Sequence, residues 1–340
     1  MKKIILTGGG TAGHVYPALA LISDLEKDHE IHYFGSNGME KEILKQYSSI
    51  TYHEIPVVKF ERKMTLRNLM LPFKLISSIR QTKKEIKKVK PNIVFAKGGF
   101  VSVPVAISAH KLKVPVISHE SDLSLGLANK VILKYCDCMC TTFPETAKRE
   151  KCIYTGQPIR KKIINGKKLA IKSDLPFLLV LGGSSGARFL NNLVYNNLDD
   201  LTKHFFVLHI YGKNGKEVKH ENYYGVPYTE HIEDFYATAD VVLSRAGSGV
   251  TNELKVLNLP MLLVPLSKQI SRGDQIENAK YFEKNGYAKC IEEEDADYLN
   301  IKENLLNLLK NYKKTVKNLK KIEKIDANEA ILELIKKYEL

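Results

Sequence analysis

Short apolar segments alternate with polar or helical stretches from the start of the chain. In the first half these segments read KIIL, IHYF, NIVFA, VPVIS and CMCTTF, and they are rich in β-branched and aromatic residues. Residues of these types favour strands. The alternation predicts βαβ units and therefore a parallel sheet.

The same pattern begins again in the second half of the chain. After a polar, lysine-rich stretch, a new strand, FLLVL, leads into GGSSGARFLNN. A strand, a glycine-rich turn and an amphipathic helix therefore occur twice, at Gly8 and at Gly182. We predict an α/β protein with two Rossmann-like domains, residues 1–158 and 159–324, joined by a short hinge. A helical tail is expected to run to Leu340.

Composition supports a folded protein of this kind. The chain has 340 residues, of which 44% are hydrophobic, enough for two ordinary cores. We expect no signal peptide, because residues 1–3 lead straight into a short strand and then glycines. We expect no membrane span, because no apolar run approaches about 20 residues. Five cysteines without a disulfide pattern favour a cytosolic compartment. Cys136, Cys138 and Cys140 alternate and are expected to form a buried stripe on one strand face rather than a metal site.

Positive charge is concentrated in one segment. The net charge is +14, and residues 59–90 alone contain eleven basic and two acidic residues interleaved with apolar ones. Such a segment suits an anionic bilayer surface, or a helix pair whose apolar side packs on the sheet, and these two interpretations are compatible. Nucleic acid is disfavoured, since stacking aromatics and a recognisable motif are missing. The candidate membrane or acceptor contacts here are Lys59, Arg62, Lys63, Arg67, Leu69, Met70 and Phe73.

The first glycine-rich loop lies in TGGGTAGHVYPALA. Gly8, Gly10 and Gly13 match the G-x-G-x-x-G pattern of dinucleotide sites. Such a site needs a carboxylate at the end of the second strand, but IHYF is followed by residues 35–37, which read GSN. An NAD-dependent oxidoreductase is therefore disfavoured. His14 begins the following helix, where it could exchange a proton near neutral pH or serve a structural role.

The second loop, LGGSSGAR, offers backbone N–H groups and the Ser184 hydroxyl at a helix N-terminus. This arrangement suits an anion, although similar loops also serve as plain tight turns. Two such loops together suggest a phosphate-bearing ligand between the domains.

Further polar residues follow later strands of the second half. In SRAGSGVTNE, Glu253 could accept hydrogen bonds from the two hydroxyls of a ribose, or could be an ordinary solvated helix residue. Asp274, Gln275 and Asn278 follow the strand MLLVPL, at the sheet edge where open α/β proteins bind ligands. The acidic pair in residues 295–297 is expected to cap a helix rather than to bind a metal.

Taken in order, these stretches resemble the MurG-type glycosyltransferases of peptidoglycan synthesis. The resemblance rests on GGGTAGHVYPALA, KGGFVSVPVAISA, HESDLSLGLANK, TGQPIR, LGGSSGARFLN, SRAGSGVTNE and SRGDQIENA, and it covers nearly the whole chain. It implies a GT-B fold, with two Rossmann-like domains whose parallel sheets face each other across a cleft. The nucleotide sugar would bind the C-terminal domain and the lipid acceptor the N-terminal one, with a last helix at about 325–340 packing back on the N-terminal domain.

The resemblance also implies an activity and partners. The family transfers N-acetylglucosamine (GlcNAc) from UDP-GlcNAc to the muramoyl 4-hydroxyl of undecaprenyl-diphospho-muramoyl-pentapeptide (lipid I), with inversion, giving lipid II and UDP. No cofactor or metal is expected. The protein would lie on the cytoplasmic face of the bacterial membrane, at an anionic surface, with other cell-wall proteins as further partners. Other GT-B enzymes, such as a diacylglycerol glycosyltransferase or a UDP-GlcNAc 2-epimerase, are disfavoured by the ordered motif set.

Site residues follow from the motif match. His14 would be the general base or would orient the acceptor hydroxyl, Glu253 would bind the ribose, and Gln275 the GlcNAc hydroxyls. Ile232 would meet the uracil through its backbone. The UDP-GlcNAc contacts implied are Thr11, Ala12, Gly13, Asp122, Arg160, Ser184, Ile232, Ser248, Gly249, Val250, Thr251, Asn252, Glu253 and Gln275; Glu120 and Asn129 are assigned to the acceptor side.

Three motifs depart from the commonest family pattern. The motif H-E-Q-N reads HESD over residues 119–122, Ser185 replaces a glutamine, and Phe100 replaces a tyrosine. An ionised Asp122 can accept hydrogen bonds but cannot donate one, so the amide contact expected at that position is in doubt.

Overall fold

The computed structural model describes residues 1–57, 71–183, 186–321 and 325–340, with the side chain of residue 71 left out. The chain divides into two compact units. The first unit comprises Met1–Arg160 and Ile325–Leu340, and the second comprises Lys161–Lys324.

The first unit contains a parallel sheet in the order β3-β2-β1-β4-β5-β6-β7. Its strands are β1 (Lys2–Thr7), β2 (His29–Gly35), β3 (Ile50–Glu54), β4 (Ile93–Ala96), β5 (Val116–Glu120), β6 (Cys138–Thr141) and β7 (Cys152–Tyr154). Its helices are α1 (Tyr16–Leu19), α2 (Ile22–Leu25), α3 (Met39–Leu44), α4 (Leu71–Val89), α5 (Ser102–Lys111), α6 (Leu127–Ile132) and α14 (Ala327–Tyr338), with short 3₁₀ helices at Ala12–His14 and Thr146–Lys148.

The second unit repeats this design with a parallel sheet in the order β10-β9-β8-β11-β12-β13. Its strands are β8 (Phe177–Leu181), β9 (Phe206–Ile210), β10 (Tyr223–Val226), β11 (Val241–Ser244), β12 (Met261–Leu263) and β13 (Lys289–Cys290). Its helices are α7 (Arg188–Asn196), α8 (Leu198–Leu201), α9 (Ile232–Thr238), α10 (Ser248–Val256), α11 (Asp274–Lys284), α12 (Tyr298–Lys310) and α13 (Tyr312–Lys320), with 3₁₀ helices at Lys161–Asn165 and Glu293–Asp295.

The apolar runs of the sequence form central strands, whose residues are buried because helices cover both faces of each sheet. All four residues of β4 and all four of β11 are buried, as expected for parallel strands between two layers of helices. The predicted pair of α/β domains with parallel sheets is confirmed.

In each sheet the strand order reverses at one point. In the first unit β1 lies between β2 and β4, with Thr7 opposite Ala96; in the second, β8 lies between β9 and β11, with Leu181 opposite Ser244. Loops after these adjacent strands leave in opposite directions, so the crevice between them is where open α/β sheets bind ligands.

The cysteine stripe was predicted only in part. All three residues are buried, but β6 begins at Cys138, and Cys136 packs in the core cluster that contains Met139, whereas Cys140 belongs to another cluster. Met139 points to the opposite strand face from its neighbours, so Cys136 and Cys140 do not share a face. Within the described parts of the chain, no group of three or more metal-ligating side chains occurs.

The C-terminal helix α14 is an integral part of the first unit. Ile331 and Ile335 are fully buried in the cluster that contains Ile4. Asn328 donates from Nδ2 to the Ile159 carbonyl at 3.0 Å and accepts from the Ile159 N–H at 3.1 Å. The Asp326 side chain caps the start of the helix. The predicted tail is therefore helical, but in three separate pieces.

Candidate active site

The loops after β1 and β4 touch at the reversal point of the first sheet. Gly99 has φ +77, and a Cβ placed there would lie 2.5 Å from the Gly9 carbonyl oxygen and 3.3 Å from His14 Nδ1. No real Cβ tolerates the shorter contact, so only glycine fits at this position. The KGGF stretch thereby comes against the first glycine-rich loop.

Thr11 holds the His14 imidazole in place. Nδ1 of His14 lies 3.1 Å from the Thr11 hydroxyl, and the His14 N–H donates to the Thr11 carbonyl at 3.0 Å. A threonine hydroxyl can donate or accept, so it can serve either neutral tautomer of the ring. The half-buried His14 ends the 3₁₀ turn that also contains Ala12 and Gly13. The sequence-predicted Thr11–His14 group is therefore one compact turn.

A buried carboxylate lies against the same loop and was missed by the sequence analysis. Glu40 is 0% exposed, accepts from the Gly10 N–H at 3.3 Å, and accepts from both the N–H and the hydroxyl of Ser36. The only sequence signal was a glutamate five residues after β2, in GSNGMEKE.

A second buried charge follows β4. The Lys97 ammonium is 1% exposed and donates to the Ser121 hydroxyl, which donates to Gln157 Oε1 at 2.9 Å. Thr142 donates to the same oxygen at 2.8 Å. This chain of hydrogen bonds joins the loops after β4 and β5 to the TGQ turn.

Burial governs the ionisation of this network. Burial lowers the pKa of Lys97 to about 8, although Glu120 and Asp122 act in the opposite direction. Burial, and secondarily the Lys97 charge, hold the pKa of His119 well below its ordinary value. The neutral His119 ring forms a 2.9 Å hydrogen bond through Nε2 with the Gly156 carbonyl.

Glu120 and Asn129, assigned to the acceptor from the motif match, are each 4% exposed. The Glu120 carboxylate accepts from the N–H groups of Asp122 and Gly126 at 3.0 and 2.8 Å and from Asn129 Nδ2 at 3.0 Å. Asn129 also donates to the His119 carbonyl at 3.1 Å. Both side chains thus shape the loop that presents the half-buried Asp122.

Arg160 ends the main segment of the first unit. Its guanidinium carbon lies 4.4 Å from the ring centre of Tyr16, the first residue of α1. Tyr16 follows His14 by two residues, so this cation–π contact brings Arg160 close to the Thr11–His14 turn.

In the second unit, glycines shape the loop after β8. Gly183 and Gly186 have φ +82 and +75, and a Cβ at Gly182 would lie 2.2 Å from the Ala187 nitrogen. The tight turn that leads into α7 therefore depends on glycine. Ser184 and Ser185 lie outside the described residues.

The start of α10 is built from small buried side chains. Ser248, Thr251 and Asn252 are buried, and Asn252 Nδ2 donates to the Ser248 carbonyl at 2.8 Å. Gly249 and Val250 are partly exposed at the same helix start. The predicted SGVTNE residues therefore lie together after β11.

Tyr236 fixes Glu253, a contact that the sequence analysis missed. The Tyr236 hydroxyl donates to Glu253 Oε2 at 2.9 Å, and Glu253 is only partly exposed. Tyr236 belongs to α9, whose first residue is Ile232, so the predicted uracil and ribose residues are connected through one helix. The solvated-helix interpretation of Glu253 is thus disfavoured.

Side chains of Arg245, Gln275 and Asp297 hold the neighbouring loops and the start of α12. Arg245 is 7% exposed, donates to the Val264 carbonyl at 3.1 Å, and forms an ion pair with Glu293. Gln275 Oε1 accepts from the Leu266 N–H at 3.1 Å, so this side chain reaches the loop after β12. Asp297 accepts from the Asn300 N–H at 2.9 Å and caps α12, as predicted.

The basic segment is described only from residue 71 onward. Lys59, Arg62, Lys63, Arg67, Leu69 and Met70 lie outside the described residues. In α4, Leu75 and Ile79 pack against the sheet core, whereas Phe73 and Ile76 are 68% and 47% exposed. The described helices include none long and apolar enough to cross a bilayer.

Comparison with known families defines the class of the protein. Residues 4–141 match the glycosyltransferase family 28 N-terminal domain, and residues 177–335 match the family 28 C-terminal domain. The chain belongs to glycosyltransferase family 28.

Curated relatives narrow the class further. A Clostridium botulinum (strain Kyoto / Type A2) protein is 44% identical over 99% of both chains, and one from Clostridium tetani (strain Massachusetts / E88) is 46% identical over 99% of this chain and 98% of its own. Both are named UDP-N-acetylglucosamine--N-acetylmuramyl-(pentapeptide) pyrophosphoryl-undecaprenol N-acetylglucosamine transferase. The predicted resemblance to the MurG type is confirmed.

Solved structures agree on the fold. The crystal structure of Acinetobacter baumannii MurG matches with a TM-score of 0.79 at 23% identity over 99% of this chain and 100% of that one. The calicheamicin glycosyltransferase CalG4 matches with a TM-score of 0.74 at 13% identity over 99% and 98% of the two chains.

Proposed function

We propose that this protein transfers GlcNAc from UDP-GlcNAc to the muramoyl 4-hydroxyl of lipid I, giving lipid II and UDP in peptidoglycan synthesis. The observation that carries the proposal is the identity of 44–46% over nearly the full chain to relatives whose name states the donor and the lipid acceptor. The Thr11–His14 turn and the Tyr236–Glu253 pair agree with it.

The second unit is proposed to bind the nucleotide sugar. Glu253 accepts hydrogen bonds from the ribose hydroxyls, and the Tyr236 hydroxyl keeps the carboxylate oriented. The start of α10, with Ser248 and Gly249, supplies N–H groups and a positive dipole end for a phosphate. Ile232 and Gln275 contact the uracil and the GlcNAc hydroxyls. Neither a metal nor a cofactor is part of this proposal.

His14 is proposed to act on the acceptor hydroxyl. The muramoyl 4-hydroxyl oxygen bonds to the anomeric carbon of GlcNAc on the face opposite UDP, while the bond from that carbon to the diphosphate oxygen breaks. The hydroxyl proton moves to a ring nitrogen of His14, and the bond electrons leave with UDP. Backbone N–H groups and Arg160 offset the charge that develops on the diphosphate.

The segment from residue 59 to 90 is proposed to rest on an anionic bilayer, which would place the enzyme on the cytoplasmic face of the membrane. Its eleven basic residues supply the attraction, and the exposed Phe73 and Ile76 supply apolar contact. In liposome flotation, Lys63→Glu together with Arg67→Glu should weaken binding to anionic vesicles. Binding that ignores both lipid charge and these substitutions would contradict the proposal.

The decisive experiment supplies purified protein with labelled UDP-GlcNAc and lipid I. We expect label in a disaccharide lipid and release of UDP. Diacylglycerol and the donor alone serve as controls. Label transferred to diacylglycerol, or UDP-GlcNAc converted to its 2-epimer, with no labelled disaccharide lipid would overturn the assignment.

A further inference from the structure

The glycine-rich loop after β1 already contains an anion of its own, the Glu40 carboxylate. Glu40 lies in the first turn of α3 and is fully buried. Its Oε2 accepts from the Gly10 N–H at 3.3 Å, and its Oε1 accepts from the Ser36 N–H at 2.9 Å. In loops that bind nucleotides at this place in the fold, backbone N–H groups point at phosphate oxygens instead.

The Glu40 carboxylate lies close against two backbone positions. A Cβ at Gly9 would lie 2.6 Å from Glu40 Oε1, and a Cβ at Gly38 would lie 3.0 Å from Oε2. The backbone therefore borders the carboxylate on two sides, and a side chain at Gly9 would have to displace the carboxylate from its present position.

The surroundings of Glu40 are neutral hydrogen-bond donors. Among the residues that the structure describes, Glu40 forms no ion pair, and its partners are N–H and hydroxyl groups. Burial, and secondarily the Glu40 charge, raise the pKa of Tyr33 and of Tyr52. A phosphate placed beside this carboxylate would be repelled by its negative charge.

The same group of side chains fixes the backbone on both sides of the loop. The Tyr33 hydroxyl donates to the Gly8 carbonyl at 2.7 Å, and the Tyr52 hydroxyl donates to the Ser36 carbonyl. Glu40 joins these two anchored segments through Gly10 and Ser36. Gly10, with φ +84, leads directly into the Thr11–His14 turn, so the position of His14 depends on this connection.

We infer that Glu40 is a positioning residue that takes the anion position of the first glycine-rich loop, holds the Thr11–His14 turn in its working geometry, and keeps phosphate groups away from Gly10. Only the Thr11–His14 side of the loop then faces a ligand. The effect on turnover rests on the proposed function, whereas the effect on the loop does not.

The test compares Glu40→Gln and Glu40→Ala with a matched control, Glu42→Gln. Glu42 lies on the same helix, is 68% exposed, and pairs only with Lys45 among the described residues. Glutamine keeps the shape of the side chain but presents an NH₂ group to the N–H donors on one side. Because small misplacements of a reacting group are costly, we expect kcat to fall about 10- to 100-fold in Glu40→Gln. The UDP dissociation constant should stay within about twofold, since the proposed nucleotide contacts Ile232 and Glu253 belong to the second unit.

Two further measurements separate positioning from a general loss of structure. In Glu40→Ala, added formate or acetate should restore kcat several-fold by occupying the vacated position, with no effect on the unchanged protein or on Glu42→Gln. Hydrogen exchange of the peptide that contains Gly10–His14 should be faster in both Glu40 variants, and this measurement needs no activity.

Failure of the inference about Glu40 and failure of the proposed function give different results. Unchanged exchange of the Gly10–His14 peptide in Glu40→Gln would overturn the inference whatever the activity. Unchanged kcat in Glu40→Gln would do the same. If the unchanged protein makes no disaccharide lipid but the exchange difference is present, the proposed function fails and the positioning of the loop by Glu40 stands.

Discussion

Lys97 should make the stability of the first unit depend on pH. Its ammonium is 1% exposed and donates to Ser121, and burial lowers its pKa from 10.5 to about 8. An unfolded chain keeps the proton on this group up to about pH 10.5, whereas the folded protein releases it near pH 8. Between these values the unfolded state binds more protons, so the free energy of unfolding rises with pH.

The size of the effect follows from the shift. A difference of about 2.5 pKa units corresponds to about 3 kcal/mol when the whole window is crossed. Between about pH 7.5 and pH 9.5, Lys97 should add about 2 kcal/mol to the free energy of unfolding. This range ends below the ordinary tyrosine pKa, so the buried tyrosines, whose raised pKa values act in the opposite direction, interfere little.

The assay is urea unfolding followed by far-ultraviolet circular dichroism at both pH values. In Lys97→Met, the increase in the free energy of unfolding from pH 7.5 to pH 9.5 should be smaller by about 2 kcal/mol than in the unchanged protein. Lys87→Met, at an exposed lysine of α4, is the matched control and should leave the rise intact. If Lys97→Met and Lys87→Met show the same rise to within about 0.5 kcal/mol, Lys97 does not titrate as a buried group and the reasoning is refuted.

Three further predictions concern the proposed reaction. His14→Ala should reduce turnover about 10²-fold or more if the ring takes the acceptor proton, whereas His110→Ala, at an exposed helix residue, should not; near-normal turnover of His14→Ala would rule out the base role. Glu253→Gln should raise the KM for UDP-GlcNAc about tenfold with little change in melting temperature, and Glu277→Gln on exposed α11 surface should leave KM unchanged. Gly249→Ala should stabilise α10 by up to about 1 kcal/mol while weakening UDP binding in calorimetry; unchanged affinity would show that no ligand approaches this backbone.

The order of strands and turns could be predicted because it is local. Continuous apolar runs indicate parallel strands that are buried on both sheet faces, and the glycines after β1 and β8 indicate tight turns. The reversal of strand order then brings separate loops together without any further signal. That is why Gly99 of the KGGF stretch meets the Thr11–His14 turn of the first glycine-rich loop at one edge of the first sheet.

The buried charges could not be predicted in the same way. No carboxylate stands at the end of β2 in the sequence, and Glu40 reaches the loop from the following helix instead. The direction in which the Glu40 side chain points depends on how α3 packs against the sheet, which no local sequence pattern specifies. Lys97 reads as a surface residue in any pattern of hydrophobicity, because lysine is rarely buried without a partner, and its partner Ser121 is 24 residues away.

The glycines after β1, β8 and β11 divide into those that packing requires and those that face open space. A Cβ at Gly8 would collide with the His14 carbonyl oxygen at 2.2 Å, whereas a Cβ at Gly183, Gly247 or Gly249 would meet no protein atom within 4 Å. Glycine at an open position is unexplained by the protein's own packing. Gly183 has a positive φ that accounts for it, but Gly247 and Gly249 have ordinary backbone angles. Gly247 is the N-cap residue of α10, a position that favours glycine, whereas Gly249 lies inside the helix and has no such reason. The phosphate site proposed at the start of α10 would supply such a reason for Gly249, because a ligand held by the N–H groups of a helix start lies close to the backbone.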